Sequence, residues 1–240
     1  MKMRVWHVLV LVVCAAALVP AASAMRMIEP PRIGGVSNST SSNWAGYAAT
    51  GRTYHSVSAS WTQPTVTCAA GETSYSSFWI GLDGDISRTV EQIGTGSDCI
   101  NGTPTYYAWY EMYPKLSGQL PITIGAGDSI SASVVAGTNG AFTLTLSVNS
   151  GAPQTITGSN RHAALSSAEV ITEAPSRNHG PFGTLSLANF GSVSFSNASV
   201  DGAPLSASSP DEITMQQGPT VKAQPSALSD GSFSVTWEHA

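Results

Sequence analysis

The sequence predicts an all-β protein, a large antiparallel sandwich, on three observations. The first is composition. Of 240 residues only ten are Lys or Arg and fifteen Asp or Glu, while Gly and Pro supply 23 and 14. A helical bundle would be rich in Ala, Glu, Lys, Leu and Arg at helical spacing, and a disordered chain would hold fewer apolar residues than the 42% found here. The second is a period of two. Val57, Ala59 and Trp61 alternate with serines, and Phe142, Leu144, Leu146 and Val148 alternate with Thr143, Thr145 and Ser147. Phe233, Val235 and Trp237 repeat the pattern, which places apolar side chains on one face of a half-buried strand. The third is punctuation: Gly125-Ala126-Gly127-Asp128, Asn149-Ser150-Gly151 and Asp201-Gly202 are turn sequences between such runs. About a dozen strands at this spacing suit a sandwich. One short helix is expected, over Ser159 to Ser167.

Taken in order, residues 1–24 read as a secretory signal peptide. Lys2 and Arg4 precede an apolar run from Val8 to Leu18, and Ala22-Ser23-Ala24 is a small-x-small cleavage site. The run is shorter than the ~18 residues a membrane helix needs. Residues 25–41, with Pro30-Pro31 and Gly34-Gly35, read as a flexible lead-in or short pro-segment, and residues 42–240 as one domain. The expected product is secreted, extracellular and monomeric, free of membrane. After cleavage it holds eight cationic against fifteen acidic side chains, a net −7, which excludes the basic stripe of a nucleic-acid binder. Two cysteines remain, Cys68 and Cys99, and an even pair in an exported protein suggests one disulfide. Asn38, Asn101 and Asn197 lie in N-x-S/T sequons.

Four segments break the plain alternation: SNWAGY from Ser42, SFWIGLDG from Ser77, VEQIG from Val90 and TYYAWYEMYP from Thr105. On the last of these, Tyr107, Trp109, Glu111 and Tyr113 share one face, and Tyr106, Ala108, Tyr110 and Met112 the other. Such a surface is either a groove for an extended polymer, peptide or glycan, or an aromatic core with Glu111 at an edge. In AEVITE, alternation puts Glu169 and Glu173 on one face, to be either solvated or functional. Gln92 sits between Val90 and Gly94 as either a core amide or a functional one. The common catalytic sets are missing. There is no G-x-S-x-G elbow, His55, His162, His179 and His239 have no metal-ligand spacing, and no phosphate-cradling loop precedes a helix. No metal and no cofactor is expected.

In order and spacing these motifs resemble the glutamic peptidases, or eqolisins, over roughly Ser42 to Glu173. The resemblance implies two large, bent antiparallel sheets, as in concanavalin-like lectins and glucanases. It also implies an acid endopeptidase acting on protein or peptide substrates. By the same resemblance Gln92 and Glu173 form the catalytic dyad, Trp44 and Trp79 line the cleft, Glu111 is the carboxylate of the concave sheet and Asp83 the acid of the G-x-D-G turn. Tyr107, Trp109, Tyr113 and Glu169 are expected to contact the substrate beside them. Relatives often carry Asp at the position of Tyr107, so the hydrogen bonds of that Asp must be replaced or lost. The competing reading is a glycan-active sandwich, hydrolase or binding module, with Glu111 and Glu173 as its carboxylates. A family relative that has lost activity is the third, and the presence of both Gln92 and Glu173 opposes it. Low charge fits acid work. Fully protonated, the mature chain carries at most +13, against ~27 basic residues in an average chain of this size.

Overall fold

The computed structural model describes residues 39–240 apart from residues 86 and 177–182. The signal peptide, most of the lead-in, Asn38 and His179 lie outside the described residues. Sixteen strands follow in chain order: β1 (Ser39–Ser41), β2 (Trp44–Ala49), β3 (Ser56–Thr62), β4 (Ser77–Leu82), β5 (Val90–Ile100), β6 (Thr103–Tyr113), β7 (Gly118–Gln119) and β8 (Ser129–Ala136). Then come β9 (Ala141–Val148), β10 (Gln154–Ser159), β11 (Ala168–Glu173), β12 (Ser192–Val200), β13 (Ala203–Pro204), β14 (Asp211–Gln217), β15 (Thr220–Pro225) and β16 (Phe233–Trp237). Two single 3-10 turns, Thr138–Gly140 and Leu205–Ser208, are the only helical elements among the described residues.

The fold is the expected all-β sandwich, but its two sheets are one hydrogen-bonded path. The order is β10-β9-β8-β3-β12-β16-β15-β14-β2-β11-β4-β5-β6-β7. All pairings between these strands are antiparallel except that of β1, which runs parallel to β14 and so draws Ser39–Ser41 of the lead-in into the sheet. The path bends through β16 and β15, laying β3, β8 and β9 over β4 and β5. We call β10-β9-β8-β3-β12 the scaffold layer and β14-β2-β11-β4-β5-β6-β7 the site layer.

The core lies between them. Val57, Ala59, Trp61, Ile130, Val134, Phe142, Leu144 and Leu146 from the scaffold layer meet Ala45, Tyr47, Phe78, Ile80, Leu82, Ile93 and Val170 from the other. Each large side chain buried this way contributes about 1.5–3 kcal/mol. Polar ties fix the layers in register: the Trp61 indole donates to Thr95 Oγ1 at 3.0 Å, and Gln63 Nε2 to the Gly96 carbonyl at 2.9 Å and Ser97 Oγ at 2.7 Å. Cys68 and Cys99 are joined in a disulfide across 31 residues, a loop whose closure in the unfolded chain is worth about 4 kcal/mol.

The helix expected over Ser159 to Ser167 does not form. Backbone donors of that segment are taken by side chains instead: His162 N–H by Asn160 Oδ1, and Leu165 and Ser166 N–H by the Asp83 carboxylate. Leu165 has φ 54°, outside any helix.

Candidate active site

In the middle of the site layer both faces of the strands are buried. β2, β4 and β11 are buried at every position, and β5 at all but its last. One face joins the core. The other carries a separate cluster of Trp44, Ala48, Trp79, Trp109, Ile171 and Ile213, with Tyr107 against it. Strand register orders this face into three rungs. One runs Ala48–Glu169–Gly81–Gln92–Glu111, the next Gly46–Ile171–Trp79–Gly94–Trp109, and the third Trp44–Glu173–Ser77–Gly96–Tyr107.

Gln92 and Glu173 therefore share a face, in the two outer rungs, with Trp79 between them. The Trp79 indole spans the gap. Its Nε1 donates to Glu173 Oε2 at 2.8 Å. At its other end, a Cβ on Gly81 would stand 3.0 Å from Trp79 Cζ3 and 3.1 Å from the Gln92 Cβ. On the neighbouring strand, a Cβ on Gly94 would stand 2.5 Å from the Trp79 Cβ, where the two backbones approach closely. Gly81 thus makes room for the far edge of the indole and Gly94 for its root, as strand glycines do where a neighbour approaches closely. Trp44 packs edge-on against it, centroids 5.0 Å apart at 73°.

Gln92 Nε2 donates to Glu111 Oε2 across the β5–β6 pair at 2.8 Å. This fixes the amide: Gln92 Oε1 turns the other way and has no hydrogen-bond partner among the described residues, although Gln92 is only 3% exposed. A buried acceptor left open in this way suits a water or a substrate group.

Two other acids expected at the site, Asp83 and Glu169, are buried around this centre. Asp83, fully buried, accepts from Leu165 and Ser166 N–H, each at 2.8 Å, and from Ser166 Oγ at 3.1 Å. It anchors a turn at Asp83 and Gly84, both at positive φ, where a Cβ on Gly84 would stand 3.1 Å from the Trp44 ring. Glu169 is equally buried, and burial pushes its carboxyl well up. Gly84 of the turn walls a cleft of about 350 Å³ with Trp44, Arg88, Val90 and Tyr113. Among the described residues no group of three His, Cys, Asp or Glu is placed to hold a metal.

Three participants escape a motif-based reading. Glu91, beside Gln92 but on the core face, accepts from Asn160 Nδ2 at 2.8 Å, and burial raises its carboxyl to about 8. Asp98 is 4% exposed, accepts the Ser76 N–H at 3.1 Å and the Tyr107 hydroxyl, and is raised by burial to about 7. Gly96 lies beneath the Tyr107 ring. Asp98 and Gly96 were countable in the sequence, since Val90, Gln92, Gly94, Gly96 and Asp98 alternate along one strand face.

A β-sandwich with an amide and a carboxylate bracketing a tryptophan on a buried sheet face defines the class. The Peptidase A4 family model matches residues 42–237, and the chain belongs to that family, the glutamic-type endopeptidases. Among particular relatives, it is 41% identical to scytalidopepsin B of Scytalidium lignicola over 106 residues, 43% of this chain and 39% of that protein. It is 29% identical to aspergillopepsin-2 of Aspergillus niger over 223 residues, 82% of this chain and 78% of that one. The solved structure of scytalido-glutamic peptidase with a transition state analog inhibitor superposes with a TM-score of 0.71 at 28% identity, covering 82% of this chain and 98% of the other.

Proposed function

We propose that this chain is a secreted acid endopeptidase that hydrolyses peptide bonds with a water activated by Glu173 and held by Gln92. The observation that carries the reading is the shared face: Gln92 and Glu173 flank Trp79, and the indole is bonded to Glu173. Glu173 as carboxylate takes a proton from the water as it attacks the peptide carbonyl carbon. Gln92 Oε1, open and buried, accepts from that water. Its amide nitrogen gives one hydrogen to Glu111 and keeps a second for the developing oxyanion. Glu173 then returns its proton to the leaving nitrogen. Glutamine does not titrate, so the pH range follows the carboxyls, and a glutamic acid cycles best in acid. Peptide as ligand is supported by the relatives, two of whose structures hold a peptide based transition state analog and a tripeptide Ala-Ile-His.

The glycan reading would use Glu111 with Glu173. Glu111 is already engaged by Gln92 and stands one strand farther from Glu173 than Gln92 does, which disfavours it as the second carboxylate of a pair limited to ~10 Å. Export through residues 1–24, the lead-in up to residue 41, and a monomeric state belong to the same proposal. They are checked by the N-terminal sequence and sedimentation of the secreted protein.

The test is cleavage of a denatured protein at pH ~3–4. Wild type cleaves, whereas Glu173→Gln and Gln92→Ala do not, while both keep the wild-type circular dichroism. Glu169→Gln is the control for which acid of AEVITE acts. Full proteolysis by Gln92→Ala, or glycan cleavage without proteolysis by wild type, would sink the reading.

A further inference from the structure

The rung that carries Glu173 ends on Tyr107, with only Ser77 and Gly96 between them. Register aligns Glu173, Ser77, Gly96 and Tyr107 across four strands. A Cβ at Gly96 would lie 2.5 Å from Tyr107 Cζ and 2.8 Å from its Oη, so the phenol is laid back over Gly96, toward β4 and Glu173. The ring cannot occupy that place above any residue but glycine. The Glu173 charge reaches the phenol, and Asp98, one residue pair further along β5, accepts its hydroxyl proton. Asp98 is itself held by the Ser76 N–H at 3.1 Å, so the carboxyl cannot swing away without opening a buried hydrogen bond.

We propose that Asp98 and Tyr107 are positioning residues for Glu173: the Asp98 carboxyl sets the direction in which the Tyr107 phenol donates, and the phenol in turn holds Glu173 ionised in acid. The idea rests on Glu173 being the catalytic acid. A phenol has one proton and two acceptor lone pairs. With Asp98 ionised, that proton goes to Asp98. With Asp98 protonated, the carboxylic acid donates to the phenol oxygen, and the phenol proton turns to the open side, where Glu173 stands. Burial keeps Asp98 protonated up to about 7, so the second arrangement is the one present in acid. A donor facing a carboxylate favours its charged form, which Glu173 needs to take a proton from water below the ordinary range of glutamic acid. The groups facing this pair are Asp98 on β5, Tyr107 on β6, Glu173 on β11 and Tyr75 ahead of β4.

The experiment is kcat and KM for peptide cleavage between pH ~2.5 and ~7, for wild type, Tyr107→Phe, Asp98→Asn, Asp98→Ala and Glu173→Gln. Tyr107→Phe removes one oxygen and leaves the ring over Gly96. It lowers kcat by about tenfold, the worth of a hydrogen bond to a charged group, leaves KM near its wild-type value and moves the acid limb of the profile to higher pH. Asp98→Ala does the same. Asp98→Asn keeps an acceptor for Ser76 and a donor for the phenol, imitating the protonated acid, and recovers most of what alanine loses. A Tyr107→Phe profile superposable on wild type, or equal losses in Asp98→Asn and Asp98→Ala, overturns the proposal. Activity surviving in Glu173→Gln overturns the function itself, so the two failures are told apart.

Discussion

The scaffold and site layers obey the same period of two and use it differently. β3, β8, β9, β10 and β12 contain no Asp, Glu, Lys or Arg. Their buried positions alternate with Ser and Thr that face outward. In the site layer, by contrast, β5 carries Glu91 and Asp98, β6 Glu111, β11 Glu169 and Glu173, and β14 Asp211 and Glu212. Five of these acids, Glu91, Asp98, Glu111, Glu169 and Glu173, are at most 4% exposed. The low charge content is thus an average over a sheet with none and a sheet that buries what it has. Hydroxyls cost nothing to solvate and keep their character at any pH. Buried carboxyls cost several kcal/mol when ionised and little when protonated. The strands of the scaffold layer contribute no pH dependence to the fold, and the buried acids of the site layer do.

The largest effect that probes this contrast is on catalysis. Trp79→Phe keeps an aromatic ring and deletes the Nε1 donor to Glu173. A hydrogen bond to a charged group is worth about 1.5–3 kcal/mol, so kcat/KM is expected to fall about ten- to a hundredfold, and the smaller ring at this fully buried position also lowers the thermal midpoint. A variant that cleaves like wild type would show that Glu173 needs no support from the indole.

Next is the pH dependence of stability. Glu91, raised by burial to about 8, and Asp98, raised to about 7, bind protons in the folded state that they have lost in the unfolded chain. Stability is full below the unfolded values near ~4 and falls as pH rises through the folded ones, at up to ~1.4 kcal/mol per pH unit for each group. Urea midpoints should therefore drop between pH ~4 and ~8. Glu91→Gln, which keeps a carbonyl for Asn160 Nδ2, should flatten that slope while leaving the low-pH midpoint close to wild type. An equally steep slope in Glu91→Gln would remove Glu91 as its source.

This division explains what the sequence could and could not say. The scaffold layer was legible strand by strand, because Val57, Ala59 and Trp61 each point inward as the alternation demands. The site layer was legible as motifs. Which face of each strand meets the core was not, since a strand buried on both sides shows no contrast between them. Glu169 and Glu173 fall on one face by counting, yet only the pairing with Gly81 and Ser77 shows what each stands beside, Glu169 in the rung of Gln92 and Glu173 on the Trp79 indole. The disulfide followed from an even cysteine count. The helix expected over Ser159 to Ser167 failed because Asp83, far away in sequence, claims its backbone donors.

The smallest effect is the sharpest control on the comparison. Thr143 is exposed on β9, in the layer without charges. Thr143→Glu adds a carboxylate to the chain but not to a buried place, so its folded and unfolded proton affinities coincide and it contributes no slope. The expected change in stability is within about 0.5 kcal/mol, equal at pH ~4 and ~8. A slope that steepens in Thr143→Glu would mean that net acidity, acting through the field of the whole molecule, governs the pH response. A slope that stays fixed while Glu91→Gln reduces it assigns the response to where the carboxyls lie. The count of charges then matters less than their segregation, and the uncharged layer is what permits the other to hold buried acids within a stable fold.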